Sequence, residues 1–355
     1  MSRERIAVIL FNLGGPDSLA AVKPFLFNLF SDPAIISLPG PFRRFLAGRL
    51  SARREALAQD IYRQIGGASP LLEETRAQAR GLEKALAPVV EARCFPVMRY
   101  WHPLAGEVVR EVSAFGAEKI VLLPLYPQFS TATTASSLAD WRRAAGAAGL
   151  VGESRTICCY PDQPDFIRAH VGLINRALET LDATMPRRVL FSAHGLPERI
   201  VKKGDPYQWQ VEETVRQIVA GLGQPDIDYT ICYQSRVGPM KWIGPATDAE
   251  IRRAGRERKA AVVVPVAFVS EHSETLYELD ILYRKLAEEA GVPAYIRVPA
   301  LSRSGAFIEA LKTMVIGALE QPDGGEPRSA AGHRLCPVDR GGCAMAGIEE
   351  GKPDD

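Results

Sequence analysis

No stretch of this 355-residue chain approaches the roughly 18 unbroken apolar residues of a membrane-spanning helix, so no transmembrane segment is expected. Net charge is nearly absent too: 43 Lys and Arg stand against 42 Asp and Glu. A balance of this kind gives no long-range field to gather nucleic acid or an anionic membrane, so nucleic acid is excluded as a partner and any ligand is recognised locally. Six cysteines in a chain of this length do not read as a disulfide framework. Cys94, Cys158, Cys159 and Cys232 are expected to be buried thiols, while Cys336 and Cys343 fall in a polar tail. The N-terminus lacks a small-residue cleavage site, because the apolar run Ile6 to Leu13 is interrupted at Asn12 and leads into Gly14-Gly15-Pro16-Asp17. It reads as a first buried strand, and the chain as cytoplasmic.

What is present is the composition of an ordinary globular protein, with 46% hydrophobic and 24% charged residues. The length is large for one core, so two domains with a cleft between them are expected. Short β-branched runs alternate with stretches of helical periodicity, the pattern of parallel sheets with crossover helices. Strands are predicted at 7–12, 92–99, 119–125, 188–193, 228–234, 260–268 and 294–298, and helices at 52–64, 72–87, 106–115, 165–183, 208–222, 248–256 and 275–290. An internal echo joins the halves. Phe11 to Pro16 resembles Phe191 to Pro197, Val121 to Leu125 parallels Val263 to Ala267, and Met98-Arg99-Tyr100 stands where Gln234-Ser235-Arg236 stands later. In open α/β sheets ligands lie beyond the carboxyl ends of the strands, and each of these segments leaves a strand there.

Two constellations carry chemistry. His194 follows a strand directly and precedes Gly195-Leu196-Pro197; its alternatives are a structural histidine or a proton acceptor near neutral pH. In Ser270 to Asp280, Glu271, Glu274 and Glu278 fall at three- and four-residue spacing, so on a helix three carboxylates share one face. A Ser270 N-cap with acids favoured by the helix dipole accounts for Glu271 but poorly for Glu278, since like charges one turn apart repel. Aligned carboxylates beside a histidine also describe a path for a divalent cation with open coordination. Tyr62, Arg99, Tyr126, Trp242 and Phe268 lie around the expected cleft, with Arg53 and Arg54. Aromatic faces suit a flat macrocycle and arginines suit carboxylates.

Seven collinear segments resemble the ferrochelatase family: Phe11 to Pro16, Tyr62 to Pro70, Tyr126 to Ser130, Phe191 to Pro197, Gly204 to Tyr207, Gly238 to Trp242 and Glu271 to Asp280. The resemblance runs from about residue 6 to residue 315. It implies an α/β fold of two similar Rossmann-like, doubly wound lobes with four-stranded parallel sheets and the active-site cleft between them. The expected organisation is a first lobe with an apolar lip at 4–165, a second lobe with the metal site at 166–300, a helix at 301–320 packing back on the first lobe, and a polar, disordered tail at 321–355.

The activity implied is insertion of ferrous iron into protoporphyrin IX, the last step of haem synthesis, with Fe2+ as substrate and no cofactor required. His194 and Glu274 match the family's essential pair, on the two sides of the macrocycle, with Glu278 and Glu271 behind as metal ligands. Tyr62, Arg99, Tyr126, Gln128, Trp242, Phe268 and Leu13 match cleft positions, and Arg53, Arg54 and Ser69 match residues near the propionates. The stretches 25–30 and 35–50 match the apolar lip, for which the resemblance implies transient membrane-surface contact because substrate and product are poorly soluble. In this setting a neutral His194 takes protons from the pyrrole nitrogens while Glu274 delivers iron or carries protons away.

The chain also departs from the family. Leu282 stands where the acidic ladder often continues, Leu13 where some members carry methionine, and Arg236 where others have lysine. Some members bind a [2Fe-2S] cluster through one internal cysteine and three near the C-terminus; here Cys158, Cys336 and Cys343 match, but the third tail position is Met345. His333 or Cys159 could substitute, and free thiols in a disordered tail are the alternative. Competing functions are a chelatase for coproporphyrin III or another divalent metal and, from another class, a haem- or porphyrin-binding protein without chemistry. The Asn-Leu-Gly-Gly-Pro start resembles members acting on protoporphyrin IX more than those acting on coproporphyrin III.

Overall fold

The computed structural model describes residues 4–238, 240–321 and 326–347. Apolar runs without alternation make strands buried on both faces, and parallel sheets follow. In the first lobe β1 (Arg5–Asn12), β2 (Glu91–Met98), β3 (Lys119–Pro124) and β4 (Glu153–Cys159) pair in the order β2-β1-β3-β4, all parallel. In the second lobe β5 (Arg187–His194), β6 (Tyr229–Gln234), β7 (Ala260–Pro265) and β8 (Tyr295–Arg297) pair in the order β6-β5-β7-β8, again all parallel. The lobes thus share one strand order, and the echoed segments leave topologically equivalent strands. In both sheets the chain diverges from the middle pair, β1/β3 and β5/β7, which leaves a crevice at the carboxyl ends.

The helices are α1 (Val22–Phe30), α2 (Gly40–Gln64), α3 (Leu71–Leu86), α4 (Ala105–Phe115), α5 (Thr134–Ala147), α6 (Pro164–Glu179), α7 (Glu198–Lys202), α8 (Tyr207–Leu222), α9 (Thr247–Arg256), α10 (Tyr283–Glu289) and α11 (Gly305–Glu320). One apolar core runs through both lobes. Val8 and Leu123 of the first sheet, Leu82 of α3, Phe166 of α6, Val215 of α8, Phe307 of α11 and Val189 and Val264 of the second sheet belong to it. Buried amides add polar braces: Gln78 Nε2 donates to the Val269 and Ser302 carbonyls at 2.9 and 3.0 Å.

Two expectations need correction. The helix predicted over 275–290 is π-helical from Glu274 to Leu282 and becomes α-helical only at Tyr283. The tail expected to be disordered is folded from residue 326 to residue 347: β9 (Pro327–Ser329) pairs with β4 and makes the first sheet five-stranded rather than four-stranded. An open edge on β4 offers unpaired backbone groups that three residues of tail satisfy. The rest of the expected tail, 322–325 and 348–355, lies outside the described residues. Among the described residues no helix is long and apolar enough to cross a membrane.

Candidate active site

His194 ends β5, at the point where the second sheet diverges. Gly195 follows because a Cβ there would meet the Gln234 carbonyl oxygen at 2.8 Å and the Trp242 ring at 3.2 Å. His194 Nδ1 lies 2.6 Å from the Gly195 carbonyl oxygen, an N–H donation that turns Nε2 outward. Nε2 stands 3.4 Å from Glu274 Oε1, the first residue of the π-helical segment after β7. The other carboxylate oxygen lies 3.3 Å from His272 Nε2, so Glu274 is held between two imidazoles. Both members of the pair stay open to the cleft, with side chains 41% and 27% exposed.

Burial disfavours charge on His194, but the carboxylate of Glu274, its hydrogen bond and the Gly195 carbonyl outweigh it and push the imidazole up to about 9. Burial likewise raises Glu274, and the two histidines overcome it, holding the carboxyl far below the usual range. The two therefore form an ion pair at neutral pH. At 3.4 Å no ring-wide gap separates them, contrary to the expectation that they face each other across a slot wide enough for a macrocycle.

Behind the pair, Glu278 Oε1 accepts from the Ser235 amide at 2.8 Å and the Tyr283 hydroxyl at 3.0 Å, and Oε2 accepts from the Ser235 hydroxyl. Gln234 Nε2 donates both to Glu278 Oε2 at 3.1 Å and to the Glu274 carbonyl at 3.0 Å, a carbonyl of the widened turn. Glu271 does not join them. Its oxygens accept from Arg297 Nη1 at 2.5 Å, the Ala300 amide at 2.9 Å and the Thr275 hydroxyl at 2.6 Å, so the three-carboxylate ladder becomes two carboxylates plus a structural acid. The helix starts after Glu271, which removes it from the shared face assumed from spacing.

Tyr62 reaches across from the end of α2; burial pushes its phenol up to about 12, a hydrogen bond with Ser273 opposing and the charge of Glu274 adding. Phe268 packs against His272, ring centroids 4.7 Å apart, and Trp242 bridges to Pro197 beyond Gly195. Leu13 packs with Tyr62, Phe25 and Leu26 under the lip. Ser69 meets the other Gly-rich loop: its amide donates to the Pro16 carbonyl at 2.8 Å. Tyr126 packs against Phe11 and Trp141 of the first lobe's outer core. Arg53 is exposed on α2, and Arg54 lies over the Phe30 ring at 5.9 Å.

Two predicted cleft residues are engaged elsewhere. Arg99 Nη2 donates to buried Asp32 at 2.8 Å and its Nε to Ser136 at 2.8 Å; Asp32 also accepts from the Tyr100 hydroxyl at 2.8 Å. Gln128 is buried between the lobes, donating to Thr214 at 3.0 Å. Sequence reasoning missed His272 as a partner of Glu274, Gln234, Ser235 and Tyr283 around Glu278, and Tyr207, hydrogen-bonded to the His194 backbone. The signal for Gln234 and Ser235 was available: Gln234 ends β6 and Ser235 follows it, as Met98 and Arg99 do at the equivalent strand.

A second cluster lies under the tail. Cys158 and Cys159 of β4 and Cys336 and Cys343 of the tail are buried together with Phe129 and Met345. All six cysteines of the chain are free thiols.

Residues 5–319 match the family model described as Ferrochelatase. A curated protein named Ferrochelatase from Phenylobacterium zucineum is 54% identical over 344 residues, covering 96% of this chain and 98% of that protein. One of the same name from Caulobacter vibrioides is 52% identical over 343 residues, covering 96% and 97%. Among solved structures, SirB from Bacillus subtilis with Fe3+ shares the fold at a TM-score of 0.53 and 11% identity, over 89% of this chain and 96% of that one.

Proposed function

The chain belongs to the ferrochelatase family, and from that premise we propose that it inserts ferrous iron into protoporphyrin IX through His194 and Glu274. The observation that carries the assignment of these residues is their 3.4 Å contact at the diverging point of the second sheet. With metal–ligand bonds of about 2.1 Å, two ligands of one tetrahedral ion stand roughly 3.4 Å apart. Among the described residues no three His, Cys, Asp or Glu side chains converge on one metal-ion position, so a single ion meets at most two such ligands. A two-ligand site suits iron in transit, held weakly enough to be handed on.

Metallation removes two pyrrole protons and exchanges the water around iron for ring nitrogens. A cation on Glu274 cancels the charge that holds the proton on His194 and leaves the imidazole neutral; once the iron has passed from the pair to the ring nitrogens, the freed Nε2 accepts a pyrrole proton. Glu278, hydrogen-bonded through Gln234 to the Glu274 carbonyl, fixes the segment that presents Glu274 and offers a second acid along the same face. The ring enters only as the pair separates, Tyr62, Phe268 and Trp242 supplying apolar faces for it. Anaerobic incubation with Fe2+ and protoporphyrin IX, read by loss of porphyrin fluorescence, tests this; a faster loss with coproporphyrin III would redirect the substrate assignment.

The pair also fixes a pH dependence. The base works neutral, and in the free protein His194 loses its proton near 9, so kcat/KM should climb as pH rises and level off at about that value. In Glu274→Gln the same limb should move down toward the ordinary histidine value of about 6.5. An unshifted limb in the residual activity of that variant would separate the titration from His194.

The lip supports a membrane-surface role. On α2 Phe42 and Phe45 are 70% and 68% exposed, among Arg43, Arg44, Arg49, Arg53 and Arg54. Apolar side chains ringed by arginines match the interface of an anionic bilayer. Co-sedimentation with phosphatidylglycerol vesicles should exceed that with phosphatidylcholine, weaken with salt, and drop several-fold in Phe42→Ser/Phe45→Ser; equal binding by that variant would remove the lip from the contact.

The buried cysteines fit the [2Fe-2S] cluster that some members carry. Cys158, Cys336 and Cys343 would hold it, and when bound it supplies iron–sulfur bonds that tie the tail to β4. Gln210 points an amide at this group, Nε2 donating to Cys336 Sγ at 3.1 Å.

A further inference from the structure

Resting on the cluster assignment above, we infer that Cys159 is the fourth ligand, so that this chain holds a [2Fe-2S] cluster with Cys158, Cys159, Cys336 and Cys343, two ligands from β4 and two from the tail.

Adjacent residues of a regular strand point to opposite faces, which would put Cys158 and Cys159 on opposite sides of β4. They are not so placed. The pairing of β4 with β9 slips between Ile157 and Cys159: Ile157 pairs with Arg328 and Cys159 with Ser329, leaving Cys158 as an extra residue. A bulge re-aims side chains, and here it brings the two sulfurs to 3.7 Å. With metal–sulfur bonds of about 2.3 Å, two thiolates on one tetrahedral centre stand roughly 3.8 Å apart, so this pair has the span of two ligands on one iron. Cys336 and Cys343 form the other pair, joined by a hydrogen bond of their own and buried in the same pocket.

The other candidates fall away. Met345 is in the cluster of buried groups but its thioether cannot give the thiolate that the remaining ligands supply. His333 is exposed, with its Nδ1 at 3.1 Å from the Ala331 carbonyl, outside the buried group. Gln210 completes the surroundings of the sulfurs. Fully buried, it accepts from the Phe129 amide at 2.7 Å, which fixes its amide so that the N–H is directed at Cys336.

Loading is a ligand exchange. Four cysteine thiolates form Fe–S bonds as four carrier thiolates leave, the cysteine protons pass to the departing thiolates, and both irons keep their oxidation state.

The test offers a glutathione-coordinated [2Fe-2S] cluster anaerobically to the full chain, followed by desalting, iron and sulfide analysis, visible absorption, and electron paramagnetic resonance after reduction. The parent chain should retain a cluster. Cys159→Ala should retain about ten-fold less or none, and Cys159→Ala/Met345→Cys should regain it, showing that the loss was of a ligand and not of the fold. Cys159→Ser, nearest in size, should shift the visible bands and the resonance, because oxygen replaces sulfur on iron. Full retention by Cys159→Ala, or an unchanged spectrum in Cys159→Ser, overturns the ligand assignment while leaving a cluster in place. A parent chain that retains nothing overturns the cluster itself and the inference with it.

Discussion

Glu274→Gln should bind protoporphyrin as tightly as the parent chain and lose about two to four orders of magnitude in turnover. The amide keeps the volume of the carboxyl, so Tyr62, Ser273 and the cleft wall have no reason to move. It removes the carboxylate charge that contacts both His194 and His272. On the proposed mechanism iron would then meet a neutral oxygen in place of a carboxylate, and His194 would be left without the group whose neutralisation switches it from acid to base. Porphyrin affinity from quenching of protein fluorescence, set beside anaerobic turnover, checks both halves. Wild-type turnover would put metal delivery and the proton switch elsewhere; loss of porphyrin affinity in parallel with turnover would make Glu274 a binding residue.

His194→Ala is expected to lose a similar factor, since no other imidazole occupies its position: His272 is on the far side of Glu274. The informative measurement is the double substitution. Two groups that act as a unit are not additive, so His194→Ala/Glu274→Gln should be about as slow as the slower single variant and not slower by the product. Multiplicative losses would mean that the histidine and the carboxylate serve separate steps. Imidazole added to His194→Ala should restore part of the rate, and more so at higher pH, where the free base is the larger fraction.

The sequence made the carboxyl-terminal loops of β1, β3, β5 and β7 legible because apolar runs ended by Gly and Pro are physically distinctive, and of the candidate site His194 ends β5 and Glu274 follows β7. It misled where local pattern and tertiary demand part. Glu271, Glu274 and Glu278 look like one helical face, yet Arg297 and the Ala300 amide capture Glu271 before the helix begins, and no spacing rule contains that arginine. Gln128 looks like a cleft residue beside Tyr126, but an amide is equally useful inside, where it satisfies Thr214 between lobes. Glu153–Cys159 escaped prediction because its first half is polar, and Pro327–Ser329 because a three-residue strand exists only through the edge it covers. The lip helix was read from residue 52 although it begins at Gly40, since its basic, phenylalanine-studded first half turns only small residues, Ala47 and Ser51, inward and so shows no apolar stripe.

The apolar core that passes through both lobes without a seam has a mechanical consequence. Jaws that share their packing cannot swing apart, because parting them would tear side chains such as Phe166 and Phe307 from their neighbours at a cost of several kcal/mol each. With the two lobes staying packed against each other, admission and discharge of a flat macrocycle are expected at the rim of the cleft.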